Sequence, residues 1–257
     1  MKRLLLRVQQ EERASTALTL MWFMVAALLF AIGLDAFLGI YITHQQLRTA
    51  GIAAANAVTR AITDEAVLPP AVEKEAARRV AAVKDEAQKE IDDILDLLAC
   101  DDDDEYCVPL TADDIKRIKI QAYRNAFYDL YHDQLDRDMA EKMVEGTWDQ
   151  EPAHVKMNKL IPDDGDLACL IRDAAHAKES FIRSEAARLA EANGATLERI
   201  TLLDNDGWNV VYVSQPVKPF GAAWLFPNAD YPKLTVNQLS RIRQFGGGRT
   251  PQWSSSC

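Results

Sequence analysis

Asp129, His132, Asp133 and Asp136 follow one another at i, i+3, i+4 and i+7. On one uninterrupted helix this spacing puts all four on a single face, where such side chains can close on a divalent metal. The same pattern describes a solvated acidic face, and that is the expectation here. The stretch Asp101–Glu105 is rich in the oxygen ligands that calcium takes, but it lacks the glycine and the spaced glutamate of an EF-hand loop. Asp204-Asn205-Asp206-Gly207 begins like a calcium loop and has no matching continuation, so it reads as a turn. There is no G-x-S-x-G, no H-E-x-x-H, no phosphate-binding glycine loop and no zinc-type cysteine pair. No cofactor, resident metal or catalytic group is expected, and the chain is read as a non-enzyme.

The residue with the most to explain is Asp35. It follows Ala14 to Leu34, 21 residues without a charge, and a spanning helix needs roughly 20 apolar residues. A secretory signal has a shorter apolar core. An acid at such a place either has a partner and a role or marks the level at which headgroup water satisfies it. Residues 1–13 hold four basic and two acidic side chains, a net +2, within a chain of net charge −10. The remainder therefore carries −12. A basic lead before an apolar run places the lead in the cytoplasm and the acidic body outside. That acidity also argues against a nucleic-acid partner.

The cysteines suit an oxidising exterior. Cys100 and Cys107 flank the acidic stretch and could close a small loop, leaving Cys169 and Cys257. Four cysteines allow three connectivities, and all remain open.

A series of helices, a loop and a β-hairpin must position these residues. Small and apolar residues at Leu47, Ala50, Ala54, Ala57, Val58 and Ala61 keep a helical period, so the membrane helix is expected to continue as a stem until Pro69-Pro70. Val72, Ala76, Val80, Val83, Ala87, Ile91, Ile94 and Leu98 form a one-face stripe on a second helix. Thr111 with Asp114 is a capping box opening a helix expected to run to about Gly146. Residues 147–165 read as loop, and a further helix is expected from Asp166 to Ala192, ended by Asn193-Gly194. The period then changes. Thr196–Leu203 and Trp208–Ser214 read as a β-hairpin joined at Asp204–Gly207, with a short third strand at Lys233–Val236.

The expected fold is thus α+β and mostly helical, with a long N-terminal transmembrane and stem helix, a helical region and a C-terminal antiparallel β-hairpin. Its boundaries are a basic lead at 1–13, a transmembrane helix at 14–43, a stem at 44–68, an extracytoplasmic α+β domain at 69–236 and a tail at 237–257.

Three stretches resemble the TadE/TadG-like proteins of tight-adherence (Flp-type) pilus assembly. Glu11-Glu12-Arg13 leads directly into the apolar segment. Gly33-Leu34-Asp35, Tyr41, Gln45-Gln46-Leu47-Arg48-Thr49-Ala50 and Ala53-Ala54-Ala55-Asn56-Ala57 follow in the family's order. Asn209–Phe220 ends in the Pro-x-x-Pro-aromatic pattern found late in such chains. The resemblance covers about the first 60 residues and this last stretch. Ala14 and Thr19 stand where processed prepilins often carry glycine and glutamate, and the Asp-x-Ser-x-Ser metal motif of some TadG proteins is absent.

What the resemblance implies is a pilin-like fold and a single-pass protein of the bacterial cytoplasmic membrane, with its C-terminal domain extracytoplasmic. It implies membrane lipid, other pilin-like subunits and an inner-membrane assembly platform as partners, with Asp35, Tyr41, Leu47 and Ala50 carrying anchorage and assembly. The competing expectation is a signal-anchored extracytoplasmic binding protein for a peptide or a divalent metal.

Overall fold

The computed structural model describes residues 2–64, 66–97, 110–218, 231–242 and 251–253. The fold is mostly helical, with a small three-stranded antiparallel sheet and one long, apolar N-terminal helix. In chain order the elements are α1 (Lys2–Thr63), α2 (Leu68–Leu97), α3 (Ala112–Tyr131), α4 (Arg137–Glu145), a 3₁₀ turn (Trp148–Gln150), α5 (Ala153–Leu160), α6 (Asp164–Ala177), α7 (Glu179–Ala192), β1 (Thr196–Thr201), β2 (Trp208–Pro216) and β3 (Lys233–Arg241). The sheet order is β1-β2-β3.

The chain divides into two compact units. One comprises Met1–Ala54, Ala187–Arg199 and Val211–Gln238; the other comprises Ala55–Ala186, Ile200–Val210 and Leu239–Cys257.

In the first unit the helix meets strand residues at Gly51. A Cβ added there would lie 2.5 Å from Gln238 Cγ and 3.4 Å from Val213 Cγ2. Glycine is what lets the backbones come this close. Arg199 stacks over the Tyr212 ring at 4.2 Å, and Ser214 donates a hydrogen bond to Glu198. At the end of α7, Gly194 has φ +77°, and Ala195 N–H returns to Ala190 O at 3.0 Å. Asn193-Gly194 therefore stops this helix as expected.

The second unit is built on α2. Its stripe Val72, Ala76, Val80, Val83, Ala87 and Ile91 is buried. The stripe from Ala76 onward forms one core with Ile120, Tyr123, Phe127, Leu135, Met139 and Leu160. Thr111 and Asp114 make the anticipated reciprocal cap. Asp204 organises the hairpin turn: its carboxylate accepts from Asp206 N–H at 3.1 Å and Trp208 N–H at 2.8 Å. Gly207 follows with φ +76°, and a Cβ there would run into the Trp253 ring. Asp204–Gly207 is thus a turn in which the Asp204 carboxylate is already engaged by backbone N–H groups.

Several expectations are corrected. The helix expected from 111 to 146 is two helices, because His132 takes a left-handed conformation (φ 53°) and donates its N–H to Tyr128 O. Asp136 then caps α4 by accepting from Asp138 N–H. The helix expected over 166–192 begins earlier, with Asp163 as its cap, and divides at Lys178 into α6 and α7. Residues 147–165 contain the 3₁₀ turn and α5 as well as loop. α1 ends at Thr63, short of the prolines, and Pro69-Pro70 instead occupy the first turn of α2, where a missing N–H costs nothing. The third strand expected at Lys233–Val236 is present and completes a three-stranded sheet, but β3 extends to Arg241, past the expected boundary at 236.

Candidate functional site

The N-terminal helix carries the site. From Thr16 to Leu34 every residue of α1 is exposed, including Phe23 and Phe30 at 73%. Among the described residues, none covers a side of this segment. An amphipathic surface helix would bury one stripe; a helix apolar all round belongs in an apolar solvent. At 1.5 Å per residue these 19 positions span about 29 Å, close to the ~30 Å hydrocarbon core of a bilayer. By length and composition, this is the one helix among the described residues that is able to cross a membrane.

The character of α1 changes at Asp35, which is half-buried and is not an isolated charge. Beyond it Gly39, Thr43, Leu47, Ala50, Ala54, Ala57, Val58 and Ala61 are buried. Their spacing of three and four draws one seam along the helix. The seam predicted from Leu47 to Ala61 is therefore present, and it begins earlier than predicted, at Asp35, Gly39 and Thr43. The four-residue steps from Asp35 to Leu47 were its legible signal.

Glycine, alanine and threonine let strand backbone approach the helix. In the first unit Gln46 accepts from Gln215 Nε2 at 3.3 Å. In the second, Ser240 Oγ donates to Ala55 O at 2.9 Å and Thr59 Oγ1 donates to Ser240 Oγ at 3.0 Å.

Of the four predicted anchor and assembly residues, Asp35, Leu47 and Ala50 share this seam, and the last two are wholly covered by the chain itself. Tyr41 is not part of the seam. It is 56% exposed and continues the line Phe30, Leu34, Phe37 on the opposite side of the helix, all of them exposed. A cleft of about 360 Å³ lies beside the stem, lined by Gln45, Gln46, Thr49, Asn193, Gly194 and Gln215. Gln215 Oε1 is buried there without a hydrogen-bond donor.

The metal candidates Asp129, His132, Asp133 and Asp136 do not form a face. The helix ends between the first and second of them, at Tyr131, and Asp136 belongs to the cap of the next one. Lys159 pairs with Asp136, and its hydrogen bond holds that carboxyl below the usual carboxylate range. No group of three His, Cys, Asp or Glu side chains converges among the described residues. Cys100 and Cys107, with the acidic stretch between them, lie outside the described residues. Cys169 is disulfide-bonded.

Two buried cations in the second unit had no cue beyond their neighbours on apolar helix faces. Arg79, 3% exposed, meets Glu75 at 2.9 Å, Asp166 at 2.5 Å and Leu160 O at 3.2 Å, with its guanidinium 4.5 Å from the centre of the Tyr131 ring. Lys156, 2% exposed, meets Glu73 at 2.5 Å and Asp149 O at 2.7 Å. Each cation has its donors satisfied on more than one element, so these groups tie α2 to α5, α6 and the 3₁₀ turn rather than wait for a substrate. Arg78 and then Arg79 hold Glu75 below its ordinary value against the opposing effect of burial.

The arrangement thus provides an apolar helix for a membrane and a continuous stem fastened to strands. Comparison with protein-family models, with curated proteins and with solved structures returns no match.

Proposed function

We propose that this chain is a membrane-anchored, non-catalytic, minor-pilin-like component of a tight-adherence (Flp-type) pilus assembly or secretion system. Its N-terminus lies in the cytoplasm and its folded body outside. The observation that carries this is the division of labour within one unbroken helix. Thr16–Leu34 is exposed on every side, and from Asp35 onward the same helix has a seam of small residues buried on its own chain. A pilin-like subunit needs both properties in one helix, an apolar half that waits in the bilayer and a half that holds the head. The basic lead and acidic body support the orientation.

The test is deletion of the gene in its bacterium, with the surface examined for pili and the tagged chain purified from mild detergent. Loss of pili and co-purification of other pilin-like subunits are expected. Normal piliation in the deletion strain would refute the assignment.

The cleft beside the stem favours a second reading, an anchored binding protein for a neutral polar ligand such as a peptide. Its amide-rich lining of Gln45, Gln46, Asn193 and Gln215 suits a neutral polar ligand that brings N–H donors. Calorimetric titration of the detergent-solubilised chain with a library of short neutral peptides distinguishes it, and uniformly flat titrations would dispose of it.

A further inference from the structure

We propose that Cys169 is bonded to Cys257, and that this disulfide clasps the C-terminal segment onto α6 once the body has reached an oxidising compartment. The timing rests on the reading that puts the body outside; the pairing does not. Cys169 is disulfide-bonded, and the other three cysteines lie outside the described residues. The choice among them follows from the surroundings of Cys169.

The segment Pro251–Trp253 is docked. Pro251 is buried, Gln252 N–H donates to Asp164 O at 3.2 Å, and the Trp253 ring rests on Gly207, where an added Cβ would meet it at 2.3 Å. The segment thus joins the first turn of α6 to the hairpin turn. Arg172 makes the same connection, donating from Nη2 to Asp204 O at 3.3 Å. Cys169 precedes Arg172 by one turn on that side of α6, and it lies about 7.5 Å along the axis from Asp164. Cys257 follows Trp253 by four residues, which reach up to about 14 Å when extended. That reach is ample for the Cα separation of about 4.4–6.8 Å that a disulfide requires.

Cys100 and Cys107 are tied to the far ends of α2 and α3. Asp166, one turn before Cys169, bonds Arg79, and the Arg79 guanidinium lies 4.5 Å from the centre of the Tyr131 ring. Leu97, where α2 ends, is about 27 Å along the axis from Arg79, and Ala112, where α3 begins, is about 29 Å from Tyr131. Cys100 and Cys107 stand three and five residues beyond those ends. Running back along its helix at full extension, each would still stop about 12–17 Å short of Arg79 and Tyr131.

Closing the clasp removes two protons and two electrons from the two thiols. A protein disulfide of the oxidoreductase class accepts them by thiol–disulfide exchange and leaves as a dithiol. Such chemistry belongs to oxidising compartments.

The test is peptide mapping by mass spectrometry without reductant. The full-length chain is taken from bacterial membranes, with free thiols alkylated before and during denaturation. A peptide pair joining Cys169 to Cys257 is expected, with neither alkylated. In Cys257→Ser, Cys169 should pass from unlabelled to fully alkylated, and the melting temperature should fall by about 4 °C or more. A bond from Cys169 to Cys100, to Cys107 or to another chain would overturn the pairing, as would an unlabelled Cys169 in Cys257→Ser. An unchanged melting temperature would overturn the clasp. Alkylation of Cys169 in the wild type would overturn it too, and protease added to spheroplasts then separates the causes. A body that is cleaved lies outside, so the clasp fails alone. A body that is protected lies inside, and the orientation fails with it.

Discussion

Replacing Val25 and Leu28 by arginine should release the chain from the membrane without disturbing its folded body. Nine Leu, Ile, Phe and Val residues lie between Thr16 and Leu34, and all nine are exposed. At the centre of a spanning helix each favours insertion by about 0.3–0.6 kcal/mol, which amounts to about 3–5 kcal/mol in total. An arginine near the midpoint costs about 2.5–3.5 kcal/mol and also forfeits the contribution of the residue it replaces. One substitution therefore leaves insertion near balance. Two cost about 6–8 kcal/mol, which exceeds the whole favourable term and shifts the partition more than tenfold toward the uninserted state.

The assay is alkaline extraction of membranes, with the chain quantified in pellet and supernatant. The wild type and Val25→Ala/Leu28→Ala should stay in the pellet, Val25→Arg should divide, and Val25→Arg/Leu28→Arg should move to the supernatant or be degraded. Because neither side chain is covered by the chain, a small change in helical circular dichroism is expected for any soluble product. Full retention of the double arginine variant would show that Thr16–Leu34 is not a span.

Three further outcomes concern the folded body. Gly51→Leu should lower the melting temperature by about 2–10 °C: overpacking against Gln238 and Val213 costs about 1–3 kcal/mol, only part of it offset by better helix propensity; an unchanged or raised melting temperature would contradict the close approach. Arg79→Met should cost about 2–4 kcal/mol, since it strands Leu160 O and removes two charge-assisted hydrogen bonds, with Arg79→Lys recovering part of the loss in thermal unfolding. Glu75 has a folded-state value below its unfolded one, so its contribution is present above the unfolded value of about 4.3 and is lost as pH falls through the lower folded value. Glu75→Gln should therefore weaken the protein at pH 7 and flatten its loss of stability below about pH 4 in a urea series, and parallel curves for the two proteins would count against the pairing.

Patterns that depend on local period were legible in the sequence. The seam from Leu47 to Ala61 and the stripe of α2 are apolar residues at helical spacing, and burial follows from that alone. Thr111, Gly194 and Gly207 have side-chain or backbone chemistry that serves a cap or a turn in almost any context. The breaks at His132 and Lys178 were not legible, because neither position offers a glycine or proline. At His132 the chain leaves the helix so that Leu135 and Met139 can return to the core holding Phe127, and that choice is made by packing between distant residues. The last five of the nine residues of β3 were hidden for a related reason. Asn237, Gln238 and Ser240 have little strand preference of their own, but Gln238 packs at Gly51 and Ser240 bonds to Ala55 and Thr59. The shared face of Asp129, His132, Asp133 and Asp136 is absent through the same break, since it required one helix where there are two.

The unbroken course of α1 from the apolar segment into the stem has a mechanical meaning. A hinge or flexible tether at Asp35 would absorb a pull on the body. A hydrogen-bonded helix with no proline between Lys2 and Thr63 transmits an axial load directly to the apolar segment Thr16–Leu34, the span of the proposed anchor. If withdrawing that span takes about 4 kcal/mol over about 29 Å, the mean opposing force is on the order of 10 pN. On the membrane-anchored reading proposed above, such a helix would hold its place against thermal motion and yield to a sustained axial tug, with extraction governed by force along one axis.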